Sequence, residues 1–202
     1  MPAPVKHSAD EMLDAVRALV LTGGPAAASA RAVCLATGAS SGSVYHRFPR
    51  RDDLVAAAWL RAQDHFLRVF LRVVDPPGIE AGIEAAVMVL TWSRDHPEDA
   101  TLLLRHALRD LLRGDTSPAL AERAAANQRT VGATFDALAA ATGHPLPDLL
   151  LAVVDLPHTV ARRTLRDGGV PTDDDIRAVR RAATLLLTHH PSDGFPAGRP
   201  ES

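Results

Sequence analysis

An all-α fold is predicted for this chain of 202 residues: a three-helix N-terminal head, joined by a long helix to a larger helical body. Three observations predict it. Apolar residues recur at helical spacing along most of the chain, whereas the alternation of a half-buried strand is scarce. Ser, Thr or Pro opens the periodic segments and Gly or Pro closes them. Hydrophobic residues make up 47% of the chain, an ordinary share for a globular protein, and the length suffices to bury a core.

Each element has its own signal. Ser8-Ala9-Asp10-Glu11 has the spacing of a capping box. Met12, Val16, Leu19 and Val20 then share one helical face, and Gly23-Gly24-Pro25 stops the helix. Ser29 caps a short second helix with Val33 and Ala36 inward, ended by Gly38. Ser40 caps a short third helix that reaches about Arg47, and Phe48-Pro49 breaks the chain. The fourth helix runs from near Arg51 to about Val74 on an apolar stripe of Leu54, Ala58, Ala62, Phe66 and Val69. Asp52 and Asp53 in its first turn complement the helix dipole. After the Asp75-Pro76-Pro77-Gly78 loop a helix spans about Ile79 to His96. The next begins at Pro97 and ends at Gly114. Ser117-Pro118 opens another, to Gly143. Pro145 to Asp167 is a dense apolar stretch that Pro157 should kink or interrupt. Gly168-Gly169-Val170-Pro171 is a turn, and Thr172 caps the last helix, which carries Asp173, Asp174 and Asp175 in its first turn and Leu185, Leu186 and Leu187 near its end. The expected division is a head of 1–53, a body of 54–190 and a disordered tail of 191–202, with the head–body boundary inside the fourth helix.

Composition narrows the function classes. Cys34 is the single cysteine, so no internal disulfide can form, which suits a reducing compartment. No run of about 18 apolar residues exists to span a membrane, and Met1 to Lys6 has no apolar signal core. A cytoplasmic location is therefore expected. The net charge is −2, but residues 1–51 carry six basic side chains against three acidic, and the remainder 16 against 21. A basic end on an acidic body is the asymmetry expected where one end meets a polyanion.

The stretch from Ser29 to Leu54 concentrates the signal. It reads as short helix, tight turn, short helix. Gly38 stands where the first must end in a left-handed residue. Gly42, one turn into the next, leaves room for a partner's close approach. Beyond them come the hydroxyls of Ser41 and Ser43, then Tyr45, His46 and Arg47. No acidic residue occurs between Asp14 and Asp52, while Arg31, Arg47, Arg50 and Arg51 all lie in that gap. Such a helix fits the major groove of DNA and its phosphates.

Residues Val33 to Leu54 resemble the helix-turn-helix of the tetracycline-repressor-like (TetR) family of transcriptional regulators, which usually reads I-A-x-x-A-G-V-S-x-G-x-L-Y-x-x-F-x-x-K-E-x-L. Gly38, Ser40, Gly42, Tyr45, Phe48 and Leu54 match, with Val33, Val44 and Arg51 conservative. Cys34, Thr37 and Ala39 change core volume, and Arg50 replaces a common capping serine. The resemblance covers roughly residues 8–60. It implies that Tyr45 and His46 contact phosphates or base edges and that Arg51 holds a phosphate. Ser41 and Ser43 would face the groove, with Ser29, Ser40, Gly42 and Arg50 completing the DNA-binding set. It further implies a homodimer on a near-palindromic operator in double-stranded DNA, an unknown small-molecule effector, and repression as the usual mode of action. No cofactor, metal or enzymatic activity is expected.

The same residues admit other readings. Gly38-Ala39-Ser40-Ser41-Gly42 also fits the G-x-S-x-G nucleophile elbow of hydrolases, but that motif needs a preceding strand and a parallel sheet. No Lys follows Gly42, as a phosphate-binding loop would require. The histidines lack the i, i+4 spacing of a helical metal pair, both for His96 and His106 and for His189-His190. A helical interaction module that never touches DNA is the remaining alternative, and it would lack the salt dependence of phosphate contacts.

In the body, Phe66, Met88, Trp92, His106, Arg109, Asn127 and Phe135 are the candidate effector-lining residues, with a small apolar or amphipathic ligand favoured by the scarcity of aromatics. The segments Leu146–Leu165 and Ile176–Leu187 carry more apolar residues than one buried stripe needs. Leu149, Leu150, Val153, Val154, Leu165, Val179 and Leu186 are therefore the candidate dimer face.

Overall fold

The computed structural model describes residues 8–189. The expected tail of 191–202, Lys6 and His190 lie outside the described residues. Helices follow one another as α1 (Ala9–Gly23), α2 (Ala30–Thr37), α3 (Ser41–Arg47), α4 (Arg51–Val73), α5 (Ile79–Asp95), α6 (Pro97–Arg105), α7 (Leu108–Leu111), α8 (Pro118–Thr142), α9 (Leu146–Leu150), α10 (Leu156–Arg166) and α11 (Asp173–Thr188). The described residues contain no strand. No single described helix is long and apolar enough to cross a membrane.

The helix starts follow their local chemistry. Ser8 and Glu11 form the reciprocal capping box, with Ser8 Oγ accepting from the Glu11 amide at 3.1 Å and the Ser8 amide donating to Glu11 Oε2 at 2.9 Å. Ser29 Oγ accepts from the Ala32 amide and Ser40 Oγ from the Ser43 amide, each at 3.2 Å. Thr172 and Asp175 form a second capping box on α11. Each such cap satisfies amides that the first helical turn leaves without partners. Gly38 takes φ 75°, where its amide donates to the Cys34 carbonyl at 2.8 Å.

Two apolar clusters share α4. The first joins α1, α2 and α3 to the α4 residues Leu54, Val55, Ala57, Ala58 and Ala62, and draws in Leu102 of α6 and Leu111 of α7. The second begins at Leu67 of α4 and gathers α5, α8, α9 and α11. Helix α5 is buried on nearly every side through Ile83, Ala85, Ala86, Val87, Met88, Val89, Leu90 and Trp92, as befits a central helix. Gly82 lets α11 approach it closely, since a Cβ there would stand 3.0 Å from Leu187 Cδ1.

Two features refine the sequence reading, one through a distant partner and one at a proline. The helix expected from Pro97 to Gly114 breaks at His106, whose backbone is extended (φ −133°, ψ 120°); the indole Nε1 of Trp59 donates to its carbonyl at 2.9 Å. Ser117-Pro118 opens α8 as expected, and the Ser117 amide donates to Asp53 Oδ1 at 2.7 Å. At Pro157 the α-helical bonding pattern is interrupted, as expected, but the helix does not end. A wide π turn, Leu151–Asp155, precedes the proline, and the Leu156 amide donates to the Leu151 carbonyl. Proline lacks an amide and its ring crowds the carbonyl four residues back. The wide turn relieves that crowding while helical dihedrals are kept.

Candidate nucleic-acid interface and apolar cavity

Helix α3 owes its placement to Val44 and Phe48, which are buried in the head cluster. That anchoring turns Ser41, Gly42, Tyr45 and His46 outward. Tyr45 is 57% exposed although it is an aromatic in a well-packed domain. A Cβ added to Gly42 would meet nothing within 4 Å, so the chain's own packing does not require glycine there. Arg31 of α2 is exposed and makes no ion pair among the described residues. It lies in the acid-free gap but outside the residue set expected to bind DNA.

The remaining expected residues are held by the protein itself. Ser29 and Ser40 spend an oxygen lone pair on their caps. Ser43 is half-buried and accepts from Arg47 Nη1 at 2.6 Å. Arg51 was expected to offer its guanidinium to a phosphate. It turns inward, donating to the Pro25 carbonyl and, at 2.8 Å, to Asp52 Oδ1. Arg50 Nη1 donates to the Thr116 carbonyl at 3.1 Å. Asp52 and Asp53 are buried. Asp52 Oδ2 accepts the amides of Arg113 and Gly114 at 2.9 and 2.7 Å, and Asp53 accepts that of Ser117. The start of α4 is thus locked to the loop after α7. No sequence pattern revealed those partners, which lie more than 60 positions away.

Between α4, α5, α6, α8 and α10 lies a cavity of about 270 Å³. Phe66, Trp92 and Phe135 line it as expected from the sequence, and Val153 and Val154 lie on its wall rather than on a surface face. Trp59, Gln63, Leu103, His158 and Arg162 also line it, and no periodicity singled them out. Four expected lining residues are placed elsewhere. Met88 is packed in the body core. Arg109 is 88% exposed beside Asp110, because the break at His106 turns α7 away from the body. Asn127 spends its amide on Gln63 Oε1 and Asp64 Oδ1 at 2.9 and 2.6 Å. His106 lines a separate outer groove with Arg105, Arg162 and Arg166. Burial lowers the pKa of His158 to about 4, helped by the nearby charge of Arg162. His106 is lowered in the same way, by desolvation and then by Arg105.

The expected dimer face divides. Leu149, Val153, Leu165 and Val179 are buried within the chain's own core, and Leu186 packs partly against it. Leu150 is exposed, together with Leu146, Leu151 and Leu185. The π turn explains much of this, since its wider pitch rotates the residues around it relative to a regular helix.

The sequence model of the family described as "Bacterial regulatory proteins, tetR family" matches residues 12–58. No curated protein matches the chain. Solved structures do. A TetR-family member from Streptomyces coelicolor A3 is 24% identical, with a TM-score of 0.64 over 91% of this chain and 99% of that one. The transcriptional regulator FadR from Bacillus subtilis, solved with stearoyl-CoA, is 9% identical, with a TM-score of 0.67 over 90% and 98%. The multidrug binding protein EbrR, solved with ethidium, is 24% identical, with a TM-score of 0.59 over 91% and 99%. At these identities the structures establish a shared fold. The family's model thus matches the head, and the chain shares its all-α fold with these solved regulators.

Proposed function

We propose that this protein is a ligand-responsive repressor that binds a near-palindromic operator as a homodimer. The observation that carries the reading is the outward, acid-free surface of α3: Ser41, Tyr45 and His46 around the open space over Gly42. With the exposed Arg31 of the preceding helix, that surface offers hydroxyl, imidazole and guanidinium donors to base edges and phosphates. Arg50 and Arg51 act as buttresses that hold the head on α4, and Ser29, Ser40 and Ser43 shape the two short helices. The head cluster extends to Ala62, about halfway along α4, and the body cluster begins at Leu67.

The cavity supplies the effector site in this reading. Trp59 stands in its wall and also bonds the carbonyl of His106. Beyond His106, α7 buries Leu111 in the head cluster, and the following loop ends on Asp52 and Asp53. A ligand that displaces Trp59 therefore shifts the segment that fixes the start of α4, and so the orientation of α3. Such coupling requires a ligand with different affinity for the two head positions. The apolar side chains of Leu146, Leu150, Leu151 and Leu185, on adjoining elements, are the face offered to a second copy.

Selection of bound fragments from a random DNA pool tests the reading. Enrichment of an inverted repeat with half-sites one or two helical turns apart is expected. A pool that yields no enriched motif, or a motif without two-fold symmetry, overturns it.

A further inference from the structure

The solved relatives hold chemically opposed ligands, an acyl thioester and an aromatic cation, so the fold does not decide what this cavity takes. Its own residues are more specific. The cavity and the outer groove share two lining side chains, Leu104 and Arg162. Arg162 Nε donates to the Leu104 carbonyl at 3.1 Å, and its guanidinium has no other hydrogen-bond partner among the described residues. It therefore forms the partition between an apolar chamber and a polar vestibule.

The vestibule is cationic. Arg105, Arg162 and Arg166 line it, with Asp110 as the single acidic residue in its wall. Arg105 makes no ion pair among the described residues, and Arg166 has only a long contact of 3.5 Å with Asp167. The positive field reaches the two flanking histidines: Arg162 helps to hold His158, and Arg105 helps to hold His106, in the neutral form. Clustered guanidinium groups with free donors are suited to carboxylate or phosphate. The chamber of about 270 Å³ holds roughly nine non-hydrogen atoms at about 30 Å³ each.

Resting on the reading of this cavity as the effector site, we propose that the effector is a medium-length alkyl chain ending in an anion. Its tail fills the chamber among Phe66, Leu103, Val131 and Phe135, and its carboxylate or phosphate passes Leu104 to the vestibule arginines. Arg162 reaches the ligand from the partition, and Arg105 and Arg166 hold the head group beyond it.

Tryptophan fluorescence of the full chain reads this directly, because Trp59 and Trp92 are its only tryptophans and both line the chamber. Decanoate, decyl phosphate, decanol and decyltrimethylammonium are titrated in parallel. Either anion, or both, should saturate the signal at a concentration at least about tenfold below decanol, with the cation weakest, and the advantage should shrink as salt rises from about 0.05 to 0.5 M. Whichever anion is tighter identifies the head group. Arg162→Gln and the double variant Arg105→Gln/Arg166→Gln should each narrow the gap between the anions and decanol, both measured in the same variant. Equal binding of anion and alcohol, or an anion preference that survives both variants, overturns the anionic assignment while leaving the cavity as a ligand site. Absence of any response to all four compounds overturns the cavity reading itself.

Discussion

The head and the body of this protein are built by different kinds of interaction. In the head, helix ends are fixed within a few residues: Ser29 to Ala32, Ser40 to Ser43, Gly38 to Cys34. In the body and along its seam with the head, the decisive bonds join distant segments: Trp59 to His106, Asp53 to Ser117, Arg162 to Leu104. The body also leaves a cavity unfilled, where the head packs Met12, Val16, Val33 and Val44 with no exposed surface. Local capping makes a rigid shape that can be presented to a partner. Long-range bonds around empty space make a part that can rearrange when the space is filled.

The seam between the two regions should be the most sensitive to damage. Leu111 is buried in the head cluster although it belongs to a single turn of helix. Leu111→Ala should cost about 2–5 kcal/mol of stability in urea unfolding. A loss below about 1 kcal/mol would mean that α7 does not hold the head. The next effect lies within the cavity and depends on pH. The pKa of His158 is about 4 when folded, below its ordinary value of 6.5. Its neutral form is therefore favoured by folding. The unfolded chain takes up the proton first, so this stabilisation is complete above about pH 6.5 and is lost as the pH falls towards 4. Stability should decline by about 1–3 kcal/mol over that range after allowing for the partly exposed ring, and His158→Gln should flatten the decline. An identical pH profile in the variant would remove the assignment.

Much of this architecture was legible in the sequence, because caps, glycines and helical periodicity act over a few residues. The bounds of α1, α2, α3, α4 and α11 follow from them, as does the left-handed Gly38. What the sequence did not disclose depends on partners far along the chain. Arg51 reads as a free cation until Pro25 and Asp52 are seen to take its donors. Arg109 reads as a cavity residue only while the helix from Pro97 is assumed to be unbroken. The apolar excess of Leu146–Leu165 was visible, but its outward side was not, since helical counting fails across a π turn. Three of the lining residues were found from aromatic character, whereas Trp59, His158 and Arg162 come from parts of helices whose neighbours are set only by packing.

The smallest expected change in stability separates folding from recognition. Gly42 is in a helix with open space around it. Gly42→Ala should stabilise the fold by up to about 1 kcal/mol through helix propensity, yet weaken DNA binding by placing a methyl group on the recognition surface. A variant both more stable and equally tight on DNA would show that no partner approaches that backbone.

The central claim is that the outward face of α3 reads DNA. Fluorescence anisotropy of a labelled inverted repeat recovered by selection, titrated at several salt concentrations with the parent and with Tyr45→Ala/His46→Ala, tests it most directly. The account predicts at least about a tenfold loss of affinity and a shallower salt slope, lower by about one for each phosphate contact removed, with the unfolding midpoint unchanged. Equal affinity and an equal slope in the two proteins would contradict it.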